Sequence, residues 1–167
     1  RIEGVSDQSN LPFMLHPAEA KTAALLVHGF TATPWEMRPL AAFLADAGIA
    51  SLAVRLPGHG TSPEDLAGRS WEEWSDAILD GYQILSKDFQ VIYGMGMSTG
   101  CLLLLTTALA KPLNGLVLFS PYLQVLNKLA PYAGWLQWLR PYHEKPAGEG
   151  LNVHYYNRRP LASIHQI

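Results

Sequence analysis

Residues 93–105 read YGMGMSTGCLLLL and set Ser98 between Gly96 and Gly100 in the pattern G-x-S-x-G. A serine hydroxyl attacks an ester or amide carbonyl when it stands clear of its own backbone and N–H donors await the oxyanion. A strand that turns sharply into a helix meets both needs. It projects the turn residue into the open, and it aims the positive end of the helix at the developing charge. Side chains two positions either side of such a turn would collide with backbone, which Gly96 and Gly100 avoid. The Thr99 N–H is then one expected oxyanion donor. The loop HGFT after the first strand offers the second, with the Phe30 N–H best placed for it.

The flanking sequence supplies the elements such a turn requires. TAALLVHGF (22–30) reads as a short buried strand, and PWEMRPLAAFLADAG (34–48) as a helix. Pro34 suits that helix's first turn, Pro39 is placed to kink it, and Gly48 provides a left-handed stop. IASLAVRL (49–56) is the next strand, followed by the loop PGHGTSPEDLAGR. SWEEWSDAILDGYQILSK (70–87) is an amphipathic helix, with Ser70 and Glu73 in a capping-box arrangement. FQVIYGMG (89–96) is a third strand. TGCLLLLTTALA (99–110) is a helix so apolar on every side that burial all round is expected. LNGLVLFS (113–120) is a fourth strand. The alternation predicts an α/β fold with a parallel, doubly wound sheet covered on both faces. Its functional loops belong at the carboxyl ends of the strands, which gathers residues 28–31, 58–60 and 98 along one edge.

From residue 121 the chain turns proline- and aromatic-rich, with no strand evident. The division expected is a core over 1–120 and an inserted helical cap over 121–167.

Composition excludes several classes. With 49% apolar and 16% charged residues the chain is globular, and a formal net charge of −2 gives no footprint for nucleic acid or an anionic membrane. The single cysteine, Cys101, rules out an internal disulfide, and six histidines without an H-x-x-x-H pair favour no metal site. No organic cofactor is called for either. No apolar run approaches the length of a membrane helix. The start, RIEGVSDQSN, has neither methionine nor a secretory apolar core, so a processed product or a piece of a longer protein is expected, with a cytoplasmic location as default.

Other chemistry-bearing residues have plainer readings. His28 precedes the serine at a strand end and shapes the oxyanion loop, and His59 in PGHG is a loop residue. Cys101 is packing inside a helix. Glu64 and Asp65 form a solvated helix start. Trp71 and Trp74 pack a helix. Tyr132, Trp135, Trp138, Tyr155 and Tyr156 either pack within the cap or line an acyl pocket.

LLVHGFTATPWEMRPLAAFLADAGI, RLPGHGTSPEDL, SWEEWSDAILDGYQIL and GMSTG together resemble the α/β-hydrolases, and within them the small bacterial carboxylesterases and monoacylglycerol lipases with a short cap. The resemblance covers roughly residues 22 to 120. It implies a serine hydrolase that cleaves a small-molecule carboxylic ester through an acyl-enzyme on Ser98. With the apolar composition of the cap, it implies short to medium acyl chains, monoacylglycerols among them, with Tyr132, Trp135 and Trp138 as candidate substrate contacts.

That family places an acid and then a histidine after the serine. Here no aspartate follows Asp88; the later acids are Glu144 and Glu149, and the later histidines His143, His154 and His165 all fall in or beside the expected cap. The expectation is a core truncated before its last strands, with acid and base beyond residue 167 or on a second chain. A hydrolase-like binding module and an acyltransferase are the alternative functions.

Overall fold

The computed structural model describes residues 4–5, 7–121, 141–144 and 154–166. Tyr132, Trp135 and Trp138, the candidate cap contacts, lie outside the described residues.

Five strands form one sheet: β1 (Phe13–Leu15), β2 (Thr22–Val27), β3 (Ala50–Val54), β4 (Val91–Met97) and β5 (Gly115–Phe119), in spatial order β1-β3-β2-β4-β5. β2, β3, β4 and β5 run parallel, and β1 pairs antiparallel with β3, Met14 opposite Leu52. β1 falls in what reads as a polar lead-in. Its three residues are too few to show alternation.

The main helices are α1 (Arg38–Asp46), α2 (Pro63–Ala67), α3 (Trp71–Leu85) and α4 (Thr99–Ala110). β2 is apolar along its whole length because its alternate side chains enter two different cores. Ala24 and Leu26 pack with Met37, Ala41 and Leu44 under α1. Leu25 and Val27 pack with Trp74, Ile78, Leu85, Leu103 and Leu104 under α3 and α4. α3 comes so close to the sheet that a Cβ on Gly81 would lie 2.5 Å from Val54 Cγ1.

Local signals set the helix ends. A 3-10 turn, Pro34–Met37, leads into α1, and Pro39 sits in the first turn of α1 rather than kinking it, where no N–H is needed. Gly48, at φ 75°, and the bond from the Ile49 N–H to the Leu44 carbonyl at 2.8 Å stop the helix. At α3 the Glu73 carboxylate accepts the Ser70 N–H at 2.8 Å while the Ser70 hydroxyl accepts the Glu73 N–H at 3.4 Å, closing the capping box.

Two expectations require correction. α4 is not buried all round: Cys101, Leu103, Leu104 and Thr107 face inward, while Leu105 is exposed and Leu109 is 90% exposed. Val117 and Phe119 of β5 are exposed too, on the sheet face opposite the one that carries α4. A helix on a sheet buries one side whatever its composition, and among the described residues nothing covers the other. The segment beyond 121 is not purely helical either. It contains an antiparallel pair, β6 (Tyr142–Glu144) and β7 (Arg158–Pro160), before the short α5 (Leu161–Ile164). Strands of three residues leave no period to read.

Candidate active site

β2 has β3 on one side and β4 on the other, so the chain reverses its direction of winding between β2 and β4. In parallel sheets the crevice at the carboxyl ends of such a pair is where ligands bind. The loop 28–31 leaves β2 there, and Ser98 leaves β4.

Ser98 is the single residue between β4 and α4, at φ 50° and ψ −112°. That conformation strains an L-residue by about 1–3 kcal/mol and persists only where its surroundings impose it. The flanking glycines show how. A Cβ on Gly96 would lie 2.7 Å from the Gly100 carbonyl carbon, and one on Gly100 would lie 2.4 Å from the Val27 carbonyl oxygen. Gly96 thus lets the helix start close to its own strand, and Gly100 lets it start close to β2. The Ser98 N–H donates to the Phe119 carbonyl at 2.9 Å, and the Cys101 thiol reaches the Gly96 and Phe119 carbonyls at 3.1 and 3.3 Å. Burial pushes the Cys101 thiol up, so it stays a weak donor to those carbonyls, as its packing role requires.

The HGFT loop lies against this turn. A Cβ on Gly29 would be 3.4 Å from the Ser98 Cβ and 3.5 Å from the Met97 carbonyl oxygen. The Gly29 N–H is taken by the Glu36 carboxylate at 2.8 Å, and the Ala32 N–H donates to the Gly29 carbonyl at 3.2 Å. No described group accepts the Phe30 N–H. Among the described residues, Thr31, at φ 65° and four residues past β2, and Ser120, at φ 51° and directly after β5, join Ser98, directly after β4, as the non-glycine residues of positive φ. Strain of this kind concentrates at functional edges.

His28 fits its loop-shaping reading. It is fully buried; its Nε2 accepts the Leu56 N–H at 3.2 Å, which leaves Nδ1 protonated and donating to the Gly29 carbonyl at 2.9 Å. Burial first, then the neighbouring His59, holds its pKa well below the usual histidine value. His59 is also buried, with its ring 5.0 Å from that of His28 and 5.7 Å from that of Trp74, and burial lowers its pKa to about 4. Trp74 is fully buried and donates its indole N–H to the Pro57 carbonyl at 3.0 Å, whereas Trp71, also expected to pack, is 40% exposed.

The later residues strap these loops together. The His154 ring stacks on Trp35 at 4.1 Å and its Nδ1 pairs with Asn10 Oδ1 at 2.8 Å. The Tyr155 hydroxyl donates to Glu36 Oε1 at 3.0 Å. The Tyr156 N–H donates to the Thr31 carbonyl at 3.0 Å and its hydroxyl to the Gly58 carbonyl at 3.1 Å. His143 is exposed on β6, and His165 is exposed just after α5. None of the three hydrogen-bonds to Ser98. Of the two expected solvated acids, Glu64 is exposed and pairs with Arg158 at 2.8 Å, while Asp65 is half-buried against Arg69 at 2.7 Å. Gln166 holds the start of α3, accepting the Trp71 N–H at 2.6 Å and donating to the Arg69 carbonyl at 2.8 Å. Glu36 escapes a sequence reading. An acid in the first turn of a helix is ordinary, and nothing local says that it reaches back to residue 29.

A strained serine on a strand–helix turn, beside a loop with an unengaged N–H, is an arrangement suited to acyl transfer. Among the described residues no helix is long and apolar enough to cross a membrane.

Comparison with known proteins bears on the family and the fold. The model of the alpha/beta hydrolase family matches residues 24–165. A carboxylesterase of Bacillus subtilis (strain 168) is 31% identical over 121 residues, 72% of this chain and 49% of that protein. A thermostable monoacylglycerol lipase of Bacillus sp. (strain H-257) is 43% identical over 88 residues, 53% of this chain and 35% of that protein. The chain thus matches half or less of the length of these curated relatives. Among solved structures, one from a study of the metagenome-derived lipolytic enzymes LipS and LipT superposes with a TM-score of 0.85 at 23% identity, covering 95% of this chain and 66% of the other. Paleococcus ferrophilus monoacylglycerol lipase superposes at 0.73 and 21% identity, covering 93% and 67%. These structures share the fold.

Proposed function

The chain belongs to the alpha/beta hydrolase family, and from that premise we propose that it carries the nucleophile and oxyanion hole of a serine carboxylester hydrolase. The observation that carries the reading is Ser98, held at φ 50° on the turn between β4 and α4 with Gly29 packed against it. In the proposed reaction the Ser98 hydroxyl attacks the acyl carbonyl, and the Phe30 and Thr99 N–H groups hold the oxyanion. The alcohol leaves, and water releases the acid from the acyl-enzyme.

The base and its orienting acid are assigned to no described residue. β5 is an edge strand whose Val117 and Phe119 are exposed, and this favours further strands beside it, from a C-terminal remainder or a second chain, which would bring both. The substrate class proposed is a carboxylic ester of short to medium acyl length, including monoacylglycerols, in keeping with the two curated relatives.

The test is hydrolysis of a p-nitrophenyl ester series by the longest available form of the protein, with and without an added alcohol. A preference for short to medium chains and no effect of alcohol on product identity supports a hydrolase; ester product that grows with alcohol supports an acyltransferase. The alternative reading is a non-catalytic binding module that keeps the pocket without turnover. Binding of an ester analogue without turnover, in that longest form, would establish it.

A further inference from the structure

The carboxylate of Glu36 reaches from the turn before α1 back to the loop after β2. Its Oε2 accepts the Gly29 N–H at 2.8 Å and its Oε1 accepts the Tyr155 hydroxyl at 3.0 Å. Gly29 is the residue packed on the Ser98 turn, and a Cβ there would lie 3.5 Å from Glu36 Oε2 as well as 3.4 Å from the Ser98 Cβ. We propose that Glu36 is a positioning residue for the oxyanion hole: by occupying the Gly29 N–H, it orients the next peptide so that the Phe30 N–H is the donor left for the reacting carbonyl. The proposal rests on the reading of Ser98 as the nucleophile.

The loop needs such an anchor. Thr31, two residues on, is β-branched yet holds φ 65°, a conformation that survives only when its neighbours over-determine it. A charged acceptor is the strongest available partner for a backbone N–H. Tyr155 secures the other oxygen and acts as a donor, since burial and then the Glu36 charge raise its pKa. Its neighbour Tyr156 binds the Thr31 carbonyl at 3.0 Å, so Glu36 and the segment after residue 154 hold the loop from both ends.

Glu36→Ala removes the acceptor, whereas Glu36→Gln keeps one oxygen for the Gly29 N–H. Phosphonylation of Ser98 by a fluorophosphonate, followed to saturation in the longest form of the protein, separates the saturating rate from the half-saturating concentration. Glu36→Ala is expected to lower the saturating rate about 10- to 100-fold with half-saturation within about twofold, and Glu36→Gln to restore most of it. If Glu36→Ala does not fold, Tyr155→Phe carries the test, with a saturating rate lowered about threefold. An unchanged rate in the variant used, or an equal fall in Glu36→Ala and Glu36→Gln, overturns the positioning role and leaves the hydrolase reading standing. Failure of the unsubstituted protein to react overturns both.

Discussion

Gly100 lies against the carboxyl end of β2, where a Cβ would stand 2.4 Å from the Val27 carbonyl oxygen and 2.8 Å from that of His28. Both contacts are backbone, so neither can swing aside. Gly100→Val is expected to cost about 3 kcal/mol, the upper range for overpacking a close-packed interior. Urea denaturation checks it. A midpoint equal to that of the unsubstituted chain would show that α4 can start further from β2.

Ser98 should be a position where stability and activity oppose one another. Glycine adopts φ 50° without the steric penalty that serine meets, so Ser98→Gly should raise stability by about 1 kcal/mol. The same variant has no hydroxyl and should form no acyl-enzyme. Thermal melts of the two proteins side by side decide whether the strain is real; a lower Tm for the glycine variant would speak against it.

The buried His28–His59 pair should govern stability in mild acid. Burial keeps both imidazoles neutral in the fold, His59 down to a pKa of about 4, while in the unfolded chain each takes a proton near pH 6.5. Below that value the unfolded state binds protons that the folded state refuses. Stability present above about pH 6.5 is therefore lost as pH falls toward 4, at up to about 1.4 kcal/mol per pH unit for each histidine. His59→Asn should flatten the slope of unfolding free energy between about pH 7 and pH 5. An unchanged slope would mean that His59 is not held neutral.

Leu109, 90% exposed on the outer face of α4, distinguishes the chain as described from a form with further elements packed on that helix. Leu109→Glu should alter the stability of the 167-residue chain by less than about 0.5 kcal/mol. In a longer form whose added elements cover that flank, the same change should cost about 2 kcal/mol or more. Equal effects in both forms would show that the flank stays open.

What was legible in the sequence was mostly local or periodic. Ser70 and Glu73 close their capping box within three residues, and Gly48 stops α1 by its own backbone freedom. The apolar strands 22–27 and 50–54 announce a doubly covered parallel sheet because both faces are buried. Other features depend on distant partners. The run Leu102–Leu105 is apolar on every side, so only packing decides that Leu103 and Leu104 turn inward while Leu105 does not. Three-residue strands such as Phe13–Leu15 and Tyr142–Glu144 form because a partner strand is at hand, not because their residues alternate. At the site, the G-x-S-x-G turn was legible because its glycines answer to steric rules. The link from Glu36 to Gly29 was not, since it is made by tertiary folding of the loop.

The central claim is that Ser98 is an activated nucleophile, and intact mass after reaction with a fluorophosphonate tests it most directly. In the longest available form of the protein, the account predicts a single adduct that disappears in Ser98→Ala, with the variant's circular dichroism unchanged. A folded protein that gains no adduct, or one that keeps it after Ser98→Ala, would contradict the account.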